Sequence, residues 1–143
     1  MDPLAPKVLI LREHWDQMRE DVIQRDPEEA CGLVAGLENC SQRVFTIPNI
    51  LHSPTRFKLD PQLQLEALLM IDEYNWDLLA IYHSHPVGPP FPSATDIREA
   101  SYPEAVHLIW YPYQEDWSCR GFLIDEGMYK EILLGILDRQ QGK

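Results

Sequence analysis

The sequence predicts an α/β sandwich, a mixed and largely antiparallel β-sheet with helices packed on its faces. Segments with the 3.6-residue apolar spacing of helices interleave with short β-branched and apolar runs, the pattern of a layered α/β architecture. The chain of 143 residues is long enough for one core that buries about two-thirds of its unfolded surface, and too short for two. No repeat, linker or low-complexity tract divides it, so residues 1–143 read as a single domain.

Val8 to Leu11 is a short apolar strand. Glu13 to Arg25 carries Trp15, Met18, Val22 and Ile23 on one helical face, and Asp26-Pro27 ends that helix because proline disfavours helix in the residue before it. Ala30 to Leu37 reads as a buried strand and Gln42 to Ile50 as its hairpin partner, with Glu38 to Ser41 as the turn. Phe57 to Leu59 fits a short strand. Asp60 followed by Pro61 is an N-cap with proline at the first helical position, opening a helix that runs to Tyr74. Leu78 to His83 is a continuous apolar strand, and Val87 to Pro92 a stiff Gly/Pro loop. Ser93 to Ser101 reads as a short helix, Ala105 to Tyr111 and Trp117 to Ile124 as strands. Met128 to Leu137 fits period 2 and period 3.6 equally and stays open.

Composition narrows the function classes. A net charge of −11 argues against phosphate-driven nucleic-acid binding and against an anionic membrane surface. No apolar run approaches the roughly 20 residues of a membrane span, and the Met-Asp-Pro start is not that of a signal peptide. Cys31, Cys40 and Cys119 are odd in number and unclustered, which fits a reducing cytoplasm better than a disulfide framework.

The chemistry concentrates at His83-Ser84-His85-Pro86, at the end of a buried strand. Alternation puts His83 and His85 on one face with Ser84 opposed, about 7 Å apart along the backbone, so both imidazoles can converge on one metal ion. Seven residues separate His85 from Ser93, and Asp96 stands three beyond Ser93. Two His and one Asp would leave a fourth position for water, the arrangement of catalytic rather than structural zinc. Ser93-Ala-Thr-Asp96 also reads as a helix N-cap with an acidic first turn, a role compatible with presenting Asp96. At this composition the full spacing arises in roughly one shuffled sequence in two thousand.

His83-x-His85-x7-Ser93-x2-Asp96 resembles the signature of the JAMM (MPN-plus) zinc metallopeptidases, without gap or substitution. That family places a glutamate where a helix gives way to the first long strand, and Asp26-Pro27-Glu28-Glu29-Ala30-Cys31-Gly32-Leu33 is similar to the lead-in of its prokaryotic members. The second acidic residue of the lead-in matches the catalytic glutamate, Glu29, and Glu28 reads as a solvated turn.

The resemblance implies a three-layer, cytidine-deaminase-like sandwich binding one Zn2+ per chain through His83, His85 and Asp96. Glu29 would be the general base and Ser93 the donor to the developing oxyanion. The reaction implied is hydrolysis of a peptide or isopeptide bond, often after the C-terminal glycine of ubiquitin or a ubiquitin-like protein. The alternative substrate is a small sulfur-carrier protein bearing cysteine or another adduct. Little room for insertions exists at Tyr74 to Asp77 and at Tyr113 to Trp117, which is similar to the compact prokaryotic members. A non-catalytic scaffold of the same fold predicts lost ligands, and none is lost. The loop Val87 to Pro92, with Gly88, Pro89, Pro90 and Phe91, borders the open metal position and suits an extended Gly-terminated tail. Cys31 shares Glu29's face but reads as core. His14, His52 and His107 lack partners at ligand spacing and read as structural or surface residues. Trp110, Tyr111, Tyr113 and Trp117 read mainly as hairpin and core packing. Oligomeric state is not legible.

Overall fold

The computed structural model describes residues 5–138. The chain order is β1 (Val8–Leu11), α1 (Arg12–Arg25), β2 (Cys31–Leu37), β3 (Cys40–Ile47), α2 (Pro61–Glu73), β4 (Asp77–Ser84), α3 (Ala94–Glu99), β5 (Val106–Tyr113), β6 (Asp116–Asp125), β7 (Met128–Ile132) and β8 (Leu134–Leu137). One eight-stranded sheet runs β7-β6-β5-β4-β2-β3-β1-β8. Its pairings are antiparallel except β4 with β5, β1 with β3 and β1 with β8, so the sheet is mixed as expected.

Strand alternation splits the side chains into two apolar layers. Val34, Ala80, Tyr82, Leu108 and Trp110 face Met18 and Val22 of α1. Burying each of those two α1 side chains contributes about 1.5–3 kcal/mol. On the opposite face, Cys31, Leu33, Ile47 and Ile81 pack with Ala67 of α2. Ile109, Phe122 and Ile124 pack there with Ile97 of α3. The result is helix, sheet, helix: three layers.

Several local forms differ from the sequence reading, each for a physical reason. The β2–β3 turn is the two residues Glu38 and Asn39, both with positive φ (52° and 67°), the backbone that a tight hairpin needs. β3 ends at Ile47 rather than Ile50 because Pro48 follows, and Phe57 to Leu59 is reduced to a single bridge, Asn49 with Leu59. The short helix spans Ala94–Glu99. Residues 128–137 form two strands, β7 and β8, joined through Leu133 yet lying at opposite ends of the strand order. The sheet therefore curls until its two ends approach, and Leu134 of β8 packs where a side chain on Gly121 of β6 would stand. Among the described residues no helix is long and apolar enough to cross a membrane.

Candidate metal centre

The antiparallel pairing of β2 with β4 is the scaffold of the site. Cys31 lies opposite His83, and the ladder continues past the start of β2 through Ser84 N–H to Ala30 O at 3.0 Å. Extending the register by two residues sets Glu29 beside His85 on the α2/α3 face. Ser84, on the other face, returns a second bond: its Oγ accepts from Ala30 N–H at 2.8 Å. The strand ends are thereby clamped where the charged side chains emerge.

His83 and His85 are buried, and Asp96 comes to them from α3. The spacing Ser93-x2-Asp96 forms a capping box. Ser93 Oγ accepts from Asp96 N–H at 3.0 Å, and Asp96 Oδ2 accepts from Ser93 N–H at 2.9 Å. That box fixes the carboxylate rotamer. Asp96 Oδ2 stands 3.2 Å from His83 Nε2 and 3.1 Å from His85 Nε2, and the two Nε2 atoms are 3.1 Å apart.

Three donor atoms in a near-equilateral triangle of that size fit a tetrahedral metal. Zinc with arms of about 2.0–2.1 Å separates its ligands by roughly 3.3–3.4 Å. The imidazole orientation fits as well: His85 Nδ1 lies 2.7 Å from the Pro89 carbonyl oxygen, the partner its N–H requires when Nε2 offers a lone pair. Glu29 joins the group, since one ligand atom each from Glu29, His83 and His85 lie within 4.8 Å of one another.

The electrostatics of the four groups differ. Burial pushes the Glu29 carboxyl up to about 8, partly opposed by His85 and reinforced by Asp96, and its Oε1 has no hydrogen-bond partner. Burial also acts to raise Asp96, but hydrogen bonds from both imidazoles prevail and hold it well below the usual carboxylate range. Burial lowers His83. His85 is opposed by burial too, yet its bonds to Asp96 and to the Pro89 carbonyl leave it raised.

The structure brings His83, His85, Asp96 and Glu29 together and sets Ser93 beside them as the helix cap. Glu28 faces away, 3.3 Å from His52. The loop from Val87 to Pro92 folds back on His85, with Gly88 N–H donating to His85 O and the Pro89 carbonyl at the ring. Phe91 and Val87 are exposed, and Gly88 and Pro90 partly so. Cys31 is core: its thiol lies 3.3 Å from Ile47 O, and burial with the nearby Asp21 pushes its pKa up to about 12.

Two residues were not legible from sequence. Asn49 is buried, and its amide donates to the carbonyls of Glu29 (3.1 Å) and Arg56 (3.0 Å). Its Oδ1 accepts from Leu51 N–H and Lys58 N–H, so one side chain ties the 48–60 segment to the backbone of Glu29. The Pro-Asn pair after a strand is the signal that could have marked it. Of the structural and surface readings of His107, the structural one holds. The residue is buried on the face of His83, and burial, with His83 adding to it, lowers its pKa to about 4. His107 borders a cavity of about 610 Å³ that also reaches Phe57, Leu59, His83, Thr95 and Asp96.

Residues 11–120 match the family of prokaryotic homologs of the JAB domain. A probable TtuB-protein conjugate cleaving protease of Thermus thermophilus is 37% identical over 123 residues, 85% of this chain and 78% of the relative. A CysO-cysteine peptidase of Mycobacterium tuberculosis is 33% identical over 105 residues, 71% of this chain and 72% of the relative. Among solved structures, a protein of Desulfitobacterium hafniense superposes with a TM-score of 0.82 at 30% identity, covering 92% of this chain and 94% of that one.

Proposed function

The chain belongs to the family of prokaryotic homologs of the JAB domain, and from that premise we propose that it is a zinc-dependent peptidase that cleaves after the C-terminal glycine of a ubiquitin-like protein conjugate. The observation that carries the reading is the triangle of His83 Nε2, His85 Nε2 and Asp96 Oδ2, 3.1–3.2 Å on a side, with the buried Glu29 beside it. A scaffold without catalysis would have no need of that set intact.

His83, His85 and Asp96 would hold the zinc, which when bound supplies a Lewis acid for the scissile carbonyl and an acidified water. Glu29 takes the proton of the attacking water and delivers it to the leaving amine. Its buried carboxyl is raised in the metal-free protein, and the charge of a bound zinc would favour the carboxylate form that accepts the proton. Ser93 Oγ already accepts from Asp96 N–H, which leaves its hydroxyl hydrogen to donate to the oxyanion. Pro89 keeps His85 oriented through Nδ1. Gly88, Pro89, Pro90 and Phe91 form the rim along which a flexible Gly-terminated tail lies, its prolines lowering the ordering cost of docking. Three free cysteines agree with a cytoplasmic setting.

A second substrate is favoured by the mycobacterial relative, named as a CysO-cysteine peptidase: a small sulfur-carrier protein bearing a C-terminal cysteine adduct. The test incubates the zinc-loaded protein with a ubiquitin-like isopeptide conjugate and with a sulfur-carrier cysteine adduct, and reads products by mass. Cleavage after the terminal glycine of the first, at a rate that collapses when Leu-Leu replaces Gly-Gly in its tail, supports the main reading. Exclusive release of cysteine supports the second. Equal rates on Gly-Gly and Leu-Leu tails rule the tail specificity out.

A further inference from the structure

The two metal-facing histidines are not held alike. His85 Nδ1 has the Pro89 carbonyl at 2.7 Å, whereas His83 Nδ1 is buried and meets no polar atom of the protein. The His83 ring is stacked on Phe57, with centroids 4.4 Å apart and planes 20° from parallel, which orients the ring plane but offers Nδ1 nothing. A metal-bound imidazole nearly always donates its second ring N–H to a carboxylate, a carbonyl or a water, and that bond fixes the tautomer.

His107 has the matching need. Its Nε2 is likewise buried and without a partner. The parallel pairing of β4 and β5 sets His107 opposite Ile81 and His83 opposite Ile109. The two imidazoles are therefore diagonal neighbours on one face, offset by about 4.8 Å across the strands and roughly 7 Å along them. Both border the same 610 Å³ cavity, where the hydroxyl-bearing Thr95 and Ser101 also stand. A water held in a protein needs room and two to four polar partners. This corner offers both.

We propose that His107 is a positioning residue for the metal centre. Through one bound water, which accepts from His83 Nδ1–H and donates to the Nε2 lone pair of His107, it locks His83 in the tautomer whose Nε2 faces the metal. The donors and acceptors balance, and a neutral His107 with its proton on Nδ1 is the form required. The inference rests on the reading of His83 as a metal ligand.

The test measures zinc affinity by competition with a chromophoric chelator for the wild type, His107→Leu and His107→Gln. His107→Leu removes the acceptor and should weaken zinc binding 10–100-fold. His107→Gln, whose amide oxygen reaches the place of Nε2, should restore affinity to near the wild-type value. The thermal midpoint of the metal-free His107→Leu protein should not fall, because a desolvated imidazole has been replaced by an apolar side chain. Unchanged zinc affinity in His107→Leu, or a Gln variant as weak as the Leu variant, overturns the proposal. A second readout needs no variant: long-range 1H–15N correlation spectra of the zinc-loaded protein should show His83 protonated on Nδ1 with a cross-peak to water, and His107 unprotonated on Nε2. A proton on His107 Nε2 overturns it. A wild-type chain that takes up no zinc fails at the metal reading itself, which separates the two failures.

Discussion

Replacing Glu29 with Gln should make the metal-free protein less sensitive to rising pH. Glu29 is 3% exposed, and its carboxyl is raised by burial from 4.5 to about 8. The unfolded chain releases that proton near the ordinary value, while the native state keeps it until the pH nears the raised one. Between the two values the native state binds more protons, so stability falls as pH rises, by at most about 1.4 kcal/mol per pH unit. Integrated from about pH 5 to about pH 7.5, the loss comes to about 3 kcal/mol. Gln has no proton to lose and no such slope. Urea denaturation of chelator-treated wild type and Glu29→Gln at the two pH values measures the double difference, in which the constant cost of the substitution cancels. The variant should gain about 3 kcal/mol on the wild type across the interval. Saturating zinc, whose charge favours the carboxylate, should flatten the wild-type curve. Parallel curves for the two metal-free proteins would refute the buried, uncharged Glu29.

Asn49→Ala removes four hydrogen bonds and leaves the carbonyls of Glu29 and Arg56 without their donor. A loss of about 2–4 kcal/mol is expected by denaturation, with turnover falling more than zinc affinity. Gly32→Ala drives a Cβ into the Phe45 carbonyl and the Tyr82 ring, whose hydroxyl donates to Asp21 at 2.7 Å. It should cost at least roughly 1–3 kcal/mol, read as a lowered Tm. Cys31, buried with its thiol pushed up to about 12, should resist iodoacetamide at about pH 8 while the half-exposed Cys40 reacts, as peptide mass mapping will show. Equal labelling of the two would contradict the buried, inert Cys31.

What could be read from sequence was whatever depends on local periodicity. The two-residue repeat of β4 already places His83 and His85 on one face, and the capping-box spacing places Asp96 at the start of a helix. Glu29 needed the family resemblance, because nothing local distinguishes it from Glu28. Its position beside His85 comes from the β2–β4 register, a pairing about fifty residues apart in sequence. The place of His107 beside the site was not legible for the same reason: its neighbour is set by the parallel β4–β5 pairing across the α3 crossover. The segment from Pro48 to Leu59 follows neither period, since the side chain of Asn49 rather than a strand ladder satisfies its backbone. β7 and β8 share one ambiguous apolar run, and only closure of the curled sheet sends them to opposite edges.

The central claim is that His83, His85 and Asp96 converge on one zinc while Glu29 works beside it. Elemental analysis of purified wild type, His83→Ala, Asp96→Ala and Glu29→Gln tests it most directly. The account predicts stoichiometric zinc in the wild type and in Glu29→Gln, the latter with turnover reduced at least ~100-fold, and strongly reduced zinc in the two alanine variants. Unchanged zinc in both His83→Ala and Asp96→Ala would contradict it.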